Sequence, residues 1–255
     1  MIEELLLKGH AYESENHVLF NVSSFSQYGS LSGRKLDDLK VGSRVSVAGY
    51  KKNPFDFILW KPSTTDQPGW ESRWGRGRPG WHLECSAMIR EHLGSNIDIH
   101  GGGNDLKFPH HDNEIAQSCC ANGATSLANY WVHNGFVEID KEKMSKSIGN
   151  VLLVRDLLKD NPGEAIRLAL LKTRYREPIN WNEQLLQNAR EQLDRLYGAL
   201  DRLGNEEVSE DLQLDNMESF WNAIDDDLNT PLALSELMLS LIHISEPRRQ
   251  EAISY

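Results

Sequence analysis

Two rhythms of apolar and polar positions divide this chain. Short strand-like runs broken by turns come before Val154, and long helical stretches follow it. Met1 to His10 is apolar at helical spacing and stops at Lys8-Gly9, which predicts a helix. Val18 to Val22 predicts a strand, and the Ser- and Gly-rich stretch from Ser23 to Gly33 predicts a loop. Leu36 to Val41 reads as a turn and Arg44 to Ala48 as an alternating strand. Lys51-Lys52-Asn53-Pro54 breaks the chain before another strand over Phe55 to Trp60. Pro62 to Pro79, rich in Gly, Pro and Trp, reads as an ordered loop with Arg73, Arg76 and Arg78 interleaved. A helix over Trp81 to His92, a buried strand over Asn96 to His100 and a helix over Pro109 to Asn122 follow, the last with proline in its first turn. Tyr130 to Gly135 and Phe136 to Ile139 read as short strands, so this part is α/β with mostly parallel pairing. Helices are then predicted over Val154 to Lys159, Gly163 to Thr173, Asn182 to Leu203 and Leu214 to Asp226. An acidic linker, Gly204 to Asp211, interrupts them. Leu185, Leu193, Leu196 and Leu200 keep the helical period in the third.

Composition narrows the class. At 255 residues the chain can bury a sizeable core. No apolar run is long enough for a bilayer, and the start Met-Ile-Glu-Glu is not a signal peptide. Three cysteines, two of them adjacent (Cys119, Cys120), make no disulfide framework and fit a reducing cytoplasm. The net charge, 27 − 38 = −11, argues against broad nonspecific nucleic-acid binding but leaves room for a local basic patch.

Candidate chemistry gathers between Pro79 and Gln117, in P-G-W-H-L-E-C, I-D-I-H-G-G-G-N-D and F-P-H-H-D-N-E-I-A-Q. His110 and Glu114 stand four apart and share a helical face. With Cys85 they offer a thiolate, an imidazole and a carboxylate, a ligand set suited to zinc. Three protein ligands with an open position is the catalytic pattern. A plainer reading stays open, with Cys85 a small buried hydrophobe and the histidines capping a helix.

These segments resemble the zinc-binding core of cysteinyl-tRNA synthetases, which are class I aminoacyl-tRNA synthetases. The run I-D-K-E-K-M-S-K-S-I-G-N carries the class I K-M-S-K-S signature at Lys143 to Ser147. The likeness runs from about Glu4 to Leu237, in the family's order. It implies the second half of a Rossmann-type catalytic domain with an insertion, followed by an α-helical region. Residues 1–80 would be the insertion, 81–160 the second catalytic half, and 161–238 a stem-contact region leading into a helical bundle at Asp225-Asp226-Asp227-Leu228-Asn229-Thr230-Pro231.

The resemblance also implies chemistry. Cysteine and ATP, with Mg2+, would give cysteinyl-adenylate, and the cysteinyl group would pass to tRNA(Cys). One Zn2+ on Cys85, His110 and Glu114 would hold the substrate sulfur, and Trp81 would wall the cysteine pocket. His100, Gly101, Gly102, Gly103 and Asp105 would lie near the adenylate. Lys143 and Lys146 would stabilise charge on the transferring phosphate, with Lys146 the preferred ATP contact. Cys119 and Cys120 are expected in the core. Family members are often monomeric. A cysteine:amino-sugar ligase on the same fold, and a noncatalytic zinc-binding RNA module, remain as rivals. No His-x-Gly-His occurs in the chain, which therefore looks like the middle of a synthetase and is expected to be inactive alone. Residues 239–255 resemble a translated sequencing-library adapter and are set aside as a tail.

Overall fold

The computed structural model describes residues 1–35, 48–139, 141–145, 147–203 and 217–245. The expected turn at Leu36 to Val41, nearly all of the strand at Arg44 to Ala48, the linker at Gly204 to Asp211 and Lys146 lie outside them. The chain divides into two compact units, Met1–His133 and Asn134–Tyr255, a boundary that falls inside the 81–160 segment.

The first unit opens with α1 (Ile2–Leu7), which ends at Lys8 as its sequence dictates, Gly9 taking φ +77°. An antiparallel sheet follows, in the order β1 (Ala11–Ser14), β2 (His17–Phe20), β3 (Phe57–Pro62), β4 (Gly77–Pro79). The sequence missed β1 because Glu13 and Ser14 break its apolar pattern, and it read β4 as loop because Gly and Pro fill it. Asn53-Pro54-Phe55-Asp56 anchors the return into β3. Buried Asp56 accepts from Tyr12 Oη at 2.7 Å and from the Val22 and Asn53 amides at 3.0 Å each. Leu5, Val18, Phe20, Val22, Leu59, Ala116 and Cys120 make the core. Cys119 is buried too, as expected of both adjacent cysteines.

Helix α2 (Trp81–His92) has the predicted bounds. Strand β5 (Ile97–Gly103) is longer than predicted and is not a buried strand, since only Ile97 is buried and Ile99 is 65% exposed. Its one hydrogen-bonded neighbour among the described residues is β6 (Ala128–Asn134), so most of the pair's surface is uncovered. The two advance together, Ile97 N donating to Leu127 O and Gly101 lying beside Val132, which makes them parallel. The predicted helix from Pro109 is broken. A wide turn over Lys107–His111, extended at Phe108, precedes α3 (Asp112–Asn122), which Gly123 ends at φ +69°.

In the second unit β7 (Val137–Ile139) pairs antiparallel with β8 (Glu142–Lys143) and parallel with β9 (Ile179–Trp181). Strands of two and three residues are too short for a period-2 signal, so β8 and β9 were not predicted. Helices α4 (Val154–Asp160), α5 (Gly163–Leu171) and α6 (Glu183–Leu203) agree with the sequence pattern to within a few residues. Ala165, Ile166, Leu168, Ile179, Trp181 and Leu186 form this unit's core. α7 (Glu218–Asp225) leads into α8 (Thr230–Ser245), which runs through Leu239 without a break.

Candidate metal centre and lysine loop

Three segments of the first unit bring the predicted ligands together. α2 presents Cys85 one turn after Trp81. The turn before α3 presents His110, and α3 presents Glu114 one turn further on. One donor atom of each lies within 4.8 Å of the other two. His110 and Glu114 are buried and Cys85 is half-buried.

The polar contacts are those of ligands turned to a common point. His110 Nε2 stands 2.8 Å from Glu114 Oε1. Among the described residues Oε1 makes no hydrogen bond of good geometry, and neither do Asp112 Oδ2, Gln117 Oε1 and Ser118 Oγ of the same helix. A fully buried carboxylate oxygen is rarely left so. Oε2 instead receives His100 Nε2 at 2.7 Å. Burial pushes the Glu114 carboxyl up, but the two imidazoles pull it down further, to about 2. Burial and the Glu114 charge push the Cys85 thiol up to about 11. Without a cation the group therefore holds a carboxylate beside a protonated thiol, and a soft divalent ion would supply the missing positive charge while displacing the thiol proton. The donor set, its burial and the orphaned oxygen fit zinc.

Around this group the structure adds residues that the sequence did not single out. His82 Nδ1 meets His110 Nδ1 at 2.7 Å, and burial holds His82 down at about 4. Gln117 Nε2 donates to the His82 carbonyl at 2.5 Å and to Ser86 Oγ at 2.6 Å, tying α3 to α2. His111 Nδ1 meets His133 Nε2 at 2.8 Å, and burial brings His111 down to about 4. His100, His111 and Glu114 also converge to within 4.8 Å, so Glu114 is shared by two groups. The i, i+3 spacing of His82 and Cys85 was the available signal for the first of these residues; His133, from another strand, left none.

Trp81 stacks on His110 with centroids 4.2 Å apart, and its ring is otherwise 59% exposed. A core tryptophan would not be. The triple glycine is tight for two different reasons. A Cβ on Gly102 would meet His111 Cε1 at 2.9 Å, and one on Gly103 would meet Asp105 Oδ1 at 2.6 Å. Gly101 has more room, Val132 O being 3.4 Å from the same point. Two of the glycines thus let β5 and the turn after it close on the histidines and on Asp105.

The lysine motif belongs to the second unit. Lys143 ends β8, its Nζ 3.8 Å from the Phe136 ring centroid. The turn after it is closed by small polar contacts: Ser145 N to Asn150 Oδ1 at 2.9 Å, and Ser145 Oγ to Ser147 Oγ at 3.1 Å. Gly149 takes φ +77°, a conformation its lack of Cβ allows.

Residues 1–191 match the model of the class I (C) tRNA synthetase catalytic domain. The chain belongs to that family. It is 61% identical over 239 residues to a cysteine–tRNA ligase of Parvibaculum lavamentivorans, covering 93% of this chain and 50% of the relative. A cysteine–tRNA ligase of Maricaulis maris is 59% identical over 237 residues, covering 93% and 51%. The chain spans about half the length of these curated relatives. Two solved structures share the fold. A putative arginyl-tRNA synthetase from Campylobacter jejuni aligns at TM-score 0.54 and 14% identity, over 95% of this chain and 51% of that one. The LeuRS–tRNA–LeuAMS ternary complex of Agrobacterium radiobacter K84 aligns at 0.50 and 17%, over 74% and 29%. Among the described residues no helix is long and apolar enough to cross a membrane.

Proposed function

We propose that the full-length protein activates cysteine with ATP and transfers it to tRNA(Cys). The observation that carries this is the convergence of half-buried Cys85 with buried His110 and Glu114. Its relatives' names favour tRNA over an amino sugar as the acceptor.

Cysteine and serine are near-isosteres, so the fit of a pocket separates them by small factors only. Zinc, held by Cys85, His110 and Glu114, supplies a preference for thiolate over hydroxyl that size cannot. Trp81 walls the amino-acid pocket with its stacked ring. His100, by its hydrogen bond to Glu114, fixes that carboxylate's orientation. In the first step a cysteine carboxylate oxygen attacks the α-phosphorus of ATP and pyrophosphate leaves. In the second a tRNA 3′-terminal hydroxyl attacks the activated carbonyl and AMP leaves. Lys143 and Lys146 meet phosphate charge as it redistributes in the first step, and Mg2+ accompanies ATP. Gly101, Gly102, Gly103 and Asp105 shape the backbone that faces the adenylate.

The test is ATP–pyrophosphate exchange by full-length protein with cysteine, with serine as the control. Cysteine-dependent exchange followed by charging of tRNA(Cys) is expected. Exchange with serine as fast as with cysteine would overturn the reading.

A further inference from the structure

Helix α2 carries the thiolate, yet apolar packing does little to fix its orientation. Of its 12 residues only Leu83 and Ser86 are buried. Leu83 joins the core through apolar contact, which has no preferred direction. The ion pair of Arg90 with Glu4 lies exposed in the last turn, where such pairs contribute little. Trp81 and His82 meet His110 through their rings, which can swing without the helix moving. A helix seated on one apolar residue can roll about its axis. A side-chain atom stands about 5 Å from that axis, so a roll of about 20° would carry Cys85 Sγ by about 1.7 Å. Metal–ligand distances tolerate only about 0.2 Å.

Gln117 supplies the missing constraint. It is fully buried on α3, three residues beyond Glu114. Its Nε2 donates both to the His82 backbone carbonyl and to Ser86 Oγ. A carbonyl only accepts, so the chemistry fixes which way the amide is turned. His82 and Ser86 bracket Cys85 in α2, three residues before it and one after. For stability alone this glutamine is a costly choice. The His82 carbonyl already lies within the hydrogen-bond ladder of α2. Gln117 Oε1 makes no hydrogen bond among the described residues, a burden that an apolar side chain would not carry. What the amide adds is direction. We propose that Gln117 is a positioning residue of the metal centre: its two hydrogen bonds lock the roll of α2 against α3 and hold the Cys85 thiolate within bonding range of an ion on His110 and Glu114. The assignment rests on the function proposed above and names the residue that keeps its soft ligand in register.

The experiment uses full-length protein, stripped of metal and reconstituted, and compares wild type with Gln117→Met, an apolar side chain of similar length. The dissociation constant for zinc, measured by competition with a chromogenic chelator, should rise about tenfold or more. With cobalt(II) in place of zinc, the near-ultraviolet thiolate-to-metal charge-transfer band should weaken, because Cys85 is the ligand displaced. In ATP–pyrophosphate exchange the KM for cysteine should rise about fivefold, while the KM for ATP should move less than about twofold. Ser86→Ala suits a helix and removes one of the two acceptors, so it should raise the zinc dissociation constant about threefold. Added to Gln117→Met, it should change nothing further. Tyr28→Phe, which removes a different buried hydrogen bond of α3, is the control and should bind zinc within about twofold of wild type. Unchanged zinc affinity in Gln117→Met would overturn the proposal. So would an equal loss in Tyr28→Phe, which would reduce the effect to helix stability. Weaker zinc binding with the charge-transfer band intact would place the effect on another ligand and overturn it as well. If Gln117→Met does not fold, Ser86→Ala decides alone, and unchanged zinc affinity there overturns the proposal. A wild-type protein that binds no zinc would instead overturn the function proposed above, a separate outcome.

Discussion

Helices α3 and α6 bury themselves by opposite means. In α3 every residue except Ile115 and Asn122 is buried, although Asp112, Asn113, Glu114, Gln117 and Ser118 are polar. In α6 the buried residues are Leu186 and Ala189, with Leu185 and Leu193 beside them, while Glu183, Gln187 and Glu191 face water. Apolar area stabilises α6 at about 25 cal/mol per Å², whatever its polar face does. α3 has no such freedom. Its polar groups depend on partners from other segments or on a bound ion, because an unpaired buried group costs about 1–3 kcal/mol, and Asp112 Oδ2, Glu114 Oε1, Gln117 Oε1 and Ser118 Oγ make no hydrogen bond among the described residues. A helix of the second kind is held in place by its chemistry, so its chemistry cannot be changed without moving the helix.

The largest expected effect follows at Cys85. Cys85→Ser replaces the soft ligand with a poor one, and zinc content of the full-length protein should fall to well under a tenth of wild type, measured by metal analysis. Cysteine-dependent exchange should vanish with it. Full zinc occupancy in the variant would show that α2, the turn before α3 and α3 converge for packing alone, and the contrast with α6 would lose its chemical reading.

Lys146→Ala probes the lysine motif of the other unit. Removing a cation that meets charge mainly in the transition state should slow pyrophosphate exchange by about a hundredfold. The KM for cysteine should move less than twofold. A raised KM with an unchanged rate would instead assign the lysine to ground-state binding.

The difference between the two helices also explains what the sequence could disclose. α6 was legible from Leu185, Leu193, Leu196 and Leu200, because burial by apolar residues leaves a period, although Leu200 is exposed. α2 was legible to its end residues. α3 was found, but its start was placed at Pro109, since nothing local announces the extended backbone of Phe108. Strand β5 was expected to be buried over Asn96 to His100, whereas burial depends on neighbours that the local pattern does not name. At the site, residue type and spacing left the plainer reading of Cys85, His110 and Glu114 open, and the resemblance pointed to the three that the structure brings within 4.8 Å. His82, His111 and His133 were not, because their roles arise from ring-to-ring contacts across α2, the turn before α3 and β6.

A smaller effect should come from Tyr28→Phe. The Tyr28 hydroxyl donates to Asn113 Oδ1 at 2.5 Å, and both are buried. Removing the donor leaves a buried acceptor at the first turn of α3 unsatisfied, a cost of about 1–2 kcal/mol. Urea unfolding should show the loss in the midpoint with little change of slope. Zinc content should hold, since Asn113 is not among the ligands. A variant as stable as wild type would mean that water or a shifted side chain satisfies Asn113, and that α3 is less tightly specified than its contacts suggest.

The smallest effect is expected at Asp227, which gathers polar contacts as Glu114 does but is open to solvent. Arg176 grips Asp227 with two bonds, Nε to Oδ2 at 2.5 Å and Nη2 to Oδ1 at 2.8 Å, and Tyr175 Oη adds a third at 2.8 Å. The Arg176 and Tyr175 hydrogen bonds hold its carboxyl down at about 2. A depressed carboxylate stabilises the fold above its unfolded value, near 4, and the gain fades as pH falls through the folded value. Any contribution is therefore full at pH 7 and lost between about pH 4 and pH 2. Both side chains are about half exposed, so water and salt screen the pair strongly. Asp227 also sits at φ +52°, which Asn tolerates as well as Asp does. Asp227→Asn thus removes the charge without straining the backbone. Its thermal midpoint should lie slightly below wild type at pH 7 and low salt, and the two should merge in high salt or near pH 2. A large gap that persists in high salt would show that this corner behaves like α3 rather than like a solvated ion pair.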